Sequence, residues 1–573
     1  MGATILKYLS KIGYLLLCFV FVIASGGLFA SDKPAADPTL EAPLWPAWVH
    51  EHWVWENDGD EVSTMENAMG FVDRGIPVGA VIIDRPWSEE WNTFVPHPEK
   101  YPNLEQLIKD FHNKDIRVMM WATSIINDDA PLFQEGLDKG YYLSGGKTVK
   151  WWAGTGAFID YTNPAAVEWW HKQMDIVLDM GIDGWKVDGS DLHSMLLLPA
   201  KAFNGQNLSW KDYRDQVYGD FFHYTREKLG NDRVISARPI DDQLLNLGIV
   251  PLLYTDRDVN FAGWVGDNDN DWAGLRHALG NMFASAAYNH VSYGSDIGGF
   301  RWDNQEAFKD VFLRWTQLGA FCPVMENGGG GIHKPWEYDD ETTNIYRKFV
   351  LLHNELIPYI YSQAAYSYEL VKPTMRPQLG AYTYLLGDDI LVAPFYEEGT
   401  ERSVRFPKGD WIYMFDESKT YSAGTETLDI PLDETPAFIR RGAILPLDVT
   451  TDALGHGSAL SKDYTTVAMY PAQGEKKFGL YEENKTGAML SYVKDGSKLT
   501  VKSTATDRSL LFRIKDYTAP LSVSNLPAAA SMAELVAMNA GYFIDGDTLW
   551  IAVKDASQGF EAQAEFDLAA PTA

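Results

Sequence analysis

Gly181-Ile-Asp-Gly-Trp-Lys-Val-Asp188 is the stretch whose reading decides the fold. A helical segment ends at Gly181, and the short strand-like run after it carries Lys186 and delivers Asp188 at its far end. A carboxylate at the C-terminal end of a buried strand is where a (β/α)₈ barrel puts its chemistry. Asp188 is therefore the first candidate catalytic residue, as a nucleophile. Lys186, two residues earlier, shares its side of the strand, and its charge would help keep Asp188 ionised. Asp191 is at an odd offset from Asp188 and is expected in the following loop.

Working outward, strand-like and helix-like segments alternate on both sides. Upstream, strands are expected at 45–56, 78–84 and 117–123, with helices at 63–74 and 103–114. The second helix puts Leu104, Leu107, Ile108 and Phe111 on one face. A glycine-rich excursion, 140–156, precedes a helix whose cap is Asn163 and whose first helical residue is Pro164. Downstream, strands are expected at 233–239, 261–267, 291–296 and 321–327, helices at 210–228, 272–289 and 304–318, and a long closing helix at 342–368. This alternation predicts an α/β chain with a (β/α)₈ TIM barrel over 45–372. An open doubly wound sheet would carry a glycine-rich phosphate loop after its first strand, and none is present. Past Pro373 short segments are broken by Gly, Pro and Asp. They predict C-terminal all-β sandwich domains, a proximal one over 373–446 and a distal one over 447–573.

The chain has 573 residues, enough for several domains. Its net charge of −31 argues against a nucleic-acid partner, because phosphates would be repelled. Its two cysteines, Cys18 and Cys322, have no zinc-site spacing, so no metal is expected. Asp267-Asn-Asp-Asn-Asp271 invites a calcium reading, but Trp272 and Ala278 stand where an EF-hand needs Gly and Glu. The N-terminus reads as an export signal over 1–30: Lys7 and Lys11, an apolar run from Tyr14 to Val22, then small residues. A linker over 31–44 follows. The expected location is periplasmic or secreted, with no stable membrane association after cleavage.

The order of several motifs resembles glycoside hydrolase family 31, the group of retaining α-glucosidases, α-xylosidases and some α-galactosidases. Gly184-Trp-Lys-Val-Asp188 resembles the nucleophile strand and Trp264-Val-Gly-Asp267-Asn the acid/base motif. Gly294-Ser-Asp-Ile-Gly-Gly299 and Arg314-Trp-Thr-Gln-Leu-Gly-Ala-Phe321 follow in order. Gly387-Asp-Asp-Ile-Leu-Val-Ala-Pro394 and Arg440-Arg-Gly-Ala-Ile-Leu-Pro446 resemble landmarks of the β-domains. The resemblance implies an exo-acting, cofactor-free α-glycosidase whose partner is an oligosaccharide or polysaccharide-derived glycan. Asp188 would attack the anomeric carbon. Asp267 would protonate the leaving oxygen and then activate water. Asp84 would bind hydroxyls at the closed end of the pocket. Trp121, Trp152 and Trp264 would form its walls, and Arg238 and Asp296 would bind hydroxyls or position the two acids. After Phe321 and Pro323 the family commonly has an Arg and a His. This chain has Glu326 and a tract of glycines, Gly328 to Gly331, before His333, which could replace the missing His. That departure, with Arg85 beside Asp84, leans the expectation toward an α-galactosidase, with α-glucosidase and α-xylosidase as the alternatives. A non-catalytic carbohydrate-binding protein on the same scaffold is the rival from another class.

Overall fold

The computed structural model describes residues 37–188, 200–238, 240–241, 252–253, 255–302, 308–515, 522–523 and 525–566. They fall into two compact units, divided between Thr343 and Asn344, with 37–50 belonging to the second.

The first unit is the barrel. Among the described residues its parallel strands are β1 (His52–Glu56), β2 (Ala80–Ile83), β3 (Arg117–Ala122), β4 (Gly184–Val187), β5 (Val234–Ala237), β6 (Gly263–Trp264), β7 (Tyr293–Gly294) and β8 (Met325–Asn327). Six of them hydrogen-bond in the order β5-β4-β3-β2-β1-β8, and β6 pairs with β7. A parallel bridge between Asp296, two residues past the end of β7, and Glu326 ties that pair to β8. Strands β2, β4 and β5 are buried at every position, as expected of a parallel sheet covered by helices.

Local chemistry explains the helix that feeds β4. Asn163 accepts from the amide of Ala165 and Pro164 opens the helix Pro164–Leu178. Gly181 then reverses the chain at φ +88, a conformation that favours glycine. Asp183 pins the start of β4. Its carboxylate accepts from His112 Nε2 at 2.7 Å, Arg117 Nη1 at 3.0 Å and the amide of Val118 at 2.8 Å.

Several expected bounds shift. The expected first strand, 45–56, begins with a 3₁₀ turn, Ala47–His50, and only His52–Glu56 is strand. The strands expected at 261–267 and 321–327 shorten to two and three residues. Asp271 accepts from the amide of Gly274 and caps the helix Trp272–Ala287, so it serves the helix start within the acidic run. Asp191 lies outside the described residues.

The second unit is antiparallel β with one long helix. A six-stranded sheet runs from Met375 to Arg440, and two five-stranded sheets carry the rest. Thr465–Met469 pairs in parallel with Leu510–Ile514, an exception within the first of the two five-stranded sheets. Pro446 lies inside the strand Ile444–Leu447 in register with Val467, so the change of sheet precedes it. That strand is at a sheet edge, where a proline costs no ladder bond. Part of the segment expected to be a linker is docked on this unit: Leu40 O accepts from the amide of Gly487, and Thr39 Oγ1 donates to Glu369. Trp45 is buried, packs edge-on against Tyr361 and Tyr368, and its carbonyl accepts from Tyr361 OH. No described helix is long and apolar enough to cross a membrane.

Candidate active site

The C-terminal ends of the barrel strands converge on a cleft of about 250 Å³. Asp84 stands one residue past β2, Asp188 one past β4 and Arg238 one past β5. Asp267 comes from the loop after β6, where Gly266 at φ +81 turns the chain. Lys186 of β4 and Trp121 of β3 are register partners, so both side chains face the barrel interior.

Arg238 organises the two candidate catalytic acids. Its Nε donates to Asp188 Oδ1 and its Nη2 to Asp267 Oδ1, each at 2.9 Å. The guanidinium is buried, with 2% of its side chain exposed, while Asp188 and Asp267 reach the cleft at 10% and 23%. Two carboxylates so close would repel one another, and a fixed cation between them offsets that repulsion. The planar fork also fixes where each oxygen points.

Lys186 forms the floor. Its Nζ lies 3.3 Å from Glu326 Oε1 and 3.7 Å from Asp84 Oδ2. The same ammonium sits 3.7 Å from the ring centroid of Trp55 and 4.8 Å from that of Trp264. Burial works against its charge, but Glu326, Asp296, Asp84 and Asp267 together hold it well above the ordinary lysine value. Burial pushes the Asp84 carboxyl up to about 6, against the pull of Lys186 and of the Arg85 amide, which donates to Asp84 Oδ1 at 2.7 Å.

The walls are aromatic. Trp55, Trp121, Trp264 and Phe300 line the cleft, and Trp152, 48% exposed, stands at its mouth. Trp91 packs edge-on against both Trp121 and Trp152. Arg85 also lines the cleft: its guanidinium lies 4.8 Å from the Trp152 ring centroid and 3.6 Å from Asp58.

Of the residues singled out from sequence, Asp84, Trp121, Trp152, Lys186, Asp188, Arg238, Trp264 and Asp267 line one cleft. Glu326, Asp296 and His333 are outside its lining. Glu326 is 0% exposed and lies behind Lys186, so it reaches the cleft only through that ammonium. Asp296 is fully buried, and burial raises its carboxyl well above the usual range. His333 Nδ1 is bonded to the carbonyl of Ile297 at 2.9 Å. Sequence reasoning did not assign Trp55 and Phe300, which line the cleft. Trp55 is the next-to-last residue of β1, as Lys186 is of β4, and that placement was the available signal.

Residues 42–363 match the model of the glycosyl hydrolases family 31 TIM-barrel domain, and residues 370–445 that of the glycosyl hydrolase family 31 C-terminal domain. Alpha-xylosidase XylQ of Lactiplantibacillus pentosus is 29% identical over 439 residues, which cover 70% of this chain and 54% of that protein. Alpha-glucosidase 2 of Bacillus thermoamyloliquefaciens is 26% identical over 494 residues, 80% of this chain and 60% of that protein. The chain thus spans 54% and 60% of the length of these curated relatives. Among solved structures, a family 31 dextranase of Flavobacterium johnsoniae complexed with glucose superposes with a TM-score of 0.77 at 20% identity, over 92% of this chain and 71% of that one.

Proposed function

The chain belongs to glycoside hydrolase family 31, and from that premise we propose that it is a retaining exo-α-glycosidase acting on a terminal α-glucosyl or α-xylosyl unit. The observation that carries the chemistry is the Arg238 fork, which holds Asp188 and Asp267 on one cleft. A retaining mechanism needs two carboxyls about 5–5.5 Å apart, one attacking and one moving protons. Asp188 attacks the anomeric carbon while Asp267, protonated when substrate binds, hands its proton to the leaving oxygen. A covalent glycosyl-enzyme results. Asp267, now ionised, takes a proton from water, and the water oxygen attacks the same carbon and frees Asp188. Asp84 accepts from sugar hydroxyls, and the indole walls cover the apolar face of the ring.

The lean toward galactose rested on Arg85 beside Asp84 and on Glu326, with its glycine tract, standing where the family commonly has an Arg and a His. With Glu326 buried behind Lys186, the second of these has no contact with the cleft. An α-xylosidase and an α-glucosidase among the relatives favour the configuration that glucose and xylose share at C4. The N-terminal signal in the sequence supports action outside the cytoplasm, and N-terminal sequencing of the mature protein checks it.

The test is a rate comparison on aryl α-glucoside, α-xyloside and α-galactoside with Asp188→Ala as control. Turnover of glucoside or xyloside at least tenfold above galactoside, abolished in the variant, is the expected result. Galactoside preference overturns the sugar assignment. Binding without turnover, unchanged by Asp188→Ala, overturns the enzyme reading.

A further inference from the structure

A second cavity, about 350 Å³, opens between the ends of β1 and β8 and shares only Trp55 with the lining of the catalytic cleft. Its volume is within the range of about 300–1,000 Å³ typical of small-molecule sites. Its lining holds several acceptors without a bonded donor. Asn327 is buried and its Nδ2 donates to the carbonyl of His333 at 2.9 Å, which leaves Oδ1 without a hydrogen-bond partner. His333 is 8% exposed, and its Nδ1 faces the carbonyl of Ile297 at 2.9 Å. A carbonyl only accepts, so Nδ1 carries the proton and Nε2 is a bare acceptor, also unpartnered. Asn57 Nδ2 donates to Asp58 Oδ2 at 3.1 Å, leaving its own Oδ1 unpartnered, as is Glu56 Oε1. One N–H of each amide and the N–H of the imidazole are thus bonded within the protein, and four acceptors remain among the residues that line the space.

The space is kept open by backbone. A Cβ at Gly329 would lie 2.5 Å from His333 Nε2, so a side chain there would cover the acceptor. Burial also lowers the His333 imidazole to about 4, which keeps it neutral and accepting near pH 7.

Acceptors beside a cavity take their donors from whatever fills it, so an occupant that donates at several points matches this lining. We propose that this cavity binds a second neutral sugar unit through its hydroxyls, separately from the catalytic cleft. Hydroxyls supply the missing donors, the Trp55 indole offers an apolar wall, and Lys334, 3.8 Å from Glu56 Oε2, can donate to a sugar oxygen. A metal ion fits less well beside that ammonium. Among the described residues no group of three or more His, Cys, Asp and Glu could hold one. Because Trp55 also carries Lys186 on its ring, an occupant bears on the floor of the cleft.

Equilibrium dialysis of the full chain against radiolabelled D-glucose and D-xylose tests this. Two sites per chain are expected for at least one of these sugars. Asp84→Ala should weaken one of them, and Asn57→Ala should weaken the other at least tenfold while leaving the first. His333→Leu should repeat the Asn57→Ala result. If that variant does not fold, Asn57→Ala, in a half-buried turn, decides alone. Finding no site that Asn57→Ala weakens, with either sugar, overturns the proposal. So does occupancy by calcium with no bound sugar. Loss of the Asp84-sensitive site alone would instead count against the proposed function.

Discussion

At the scale of single residues the cleft is governed by two cations with different tasks. Arg238 is a rigid fork between two acids, and Lys186 is a point charge beneath them. Replacing Arg238 by Lys keeps the charge and loses the second bond. Arg238→Lys should therefore lower kcat by on the order of 10²-fold, with KM changed far less, as read from full saturation curves on an aryl α-glucoside. Asp84 supplies a pH handle. Burial pushes its carboxyl up to about 6, and only the ionised form accepts from hydroxyls at both oxygens with a full charge. The kcat/KM of the enzyme should therefore fall as pH drops through about 6, and Asp84→Asn should lose that limb along with much of its activity. A limb unmoved in Asp84→Asn would mean another group sets it.

At the scale of elements, Asp183 shows how a strand start is held. Burial alone would raise its carboxyl, but the bonds from His112 and the Val118 amide, with Arg233 nearby, hold it below its usual 3.8. A carboxyl lowered on folding contributes stability that is present above 3.8 and is lost as pH falls through the folded value. Asp183→Asn should cost about 2–3 kcal/mol at neutral pH, and less at pH 3. Urea melts followed by tryptophan fluorescence check both. The same elements show what was legible. Gly184-Trp-Lys-Val-Asp188 gave both the strand and the carboxylate at its end, because a short buried run, interrupted only by Lys186, meets a polar stop. Asn163-Pro164 marked a helix start for equally local reasons. Glu326 was misread because a strand of three residues does not encode which one stands at the rim. The expected first strand is longer than the observed one because buried aromatics, Trp48 in a 3₁₀ turn and Trp45 ahead of it, carry the same signal outside a strand as in one. Arg85 was noticed as a neighbour of the pocket, but its stacking on Trp152 joins residues far apart in the chain.

At the scale of the whole molecule, composition acts through charge. With a net charge of −31 the folded chain repels itself, and salt screens that repulsion over about 10 Å at 0.1 M. Its unfolding temperature should rise by a few degrees between low salt and about 0.2 M sodium chloride, measured by scanning calorimetry, and sucrose at equal osmolality should not reproduce the dependence. The stretch 37–50 acts at this scale too, since it is docked on the sandwich unit through Trp45 and Leu40.

The shared guanidinium has a consequence for charge conservation. In the proposed double displacement Asp188 is ionised and Asp267 neutral before attack. In the glycosyl-enzyme the order is reversed, with Asp188 an ester and Asp267 ionised. One negative charge is therefore present at each stage, and it passes from the Nε side of Arg238 to the Nη2 side. The cation keeps a counter-charge throughout without having to move, so its surroundings have little dipole to rearrange as the intermediate forms and breaks down.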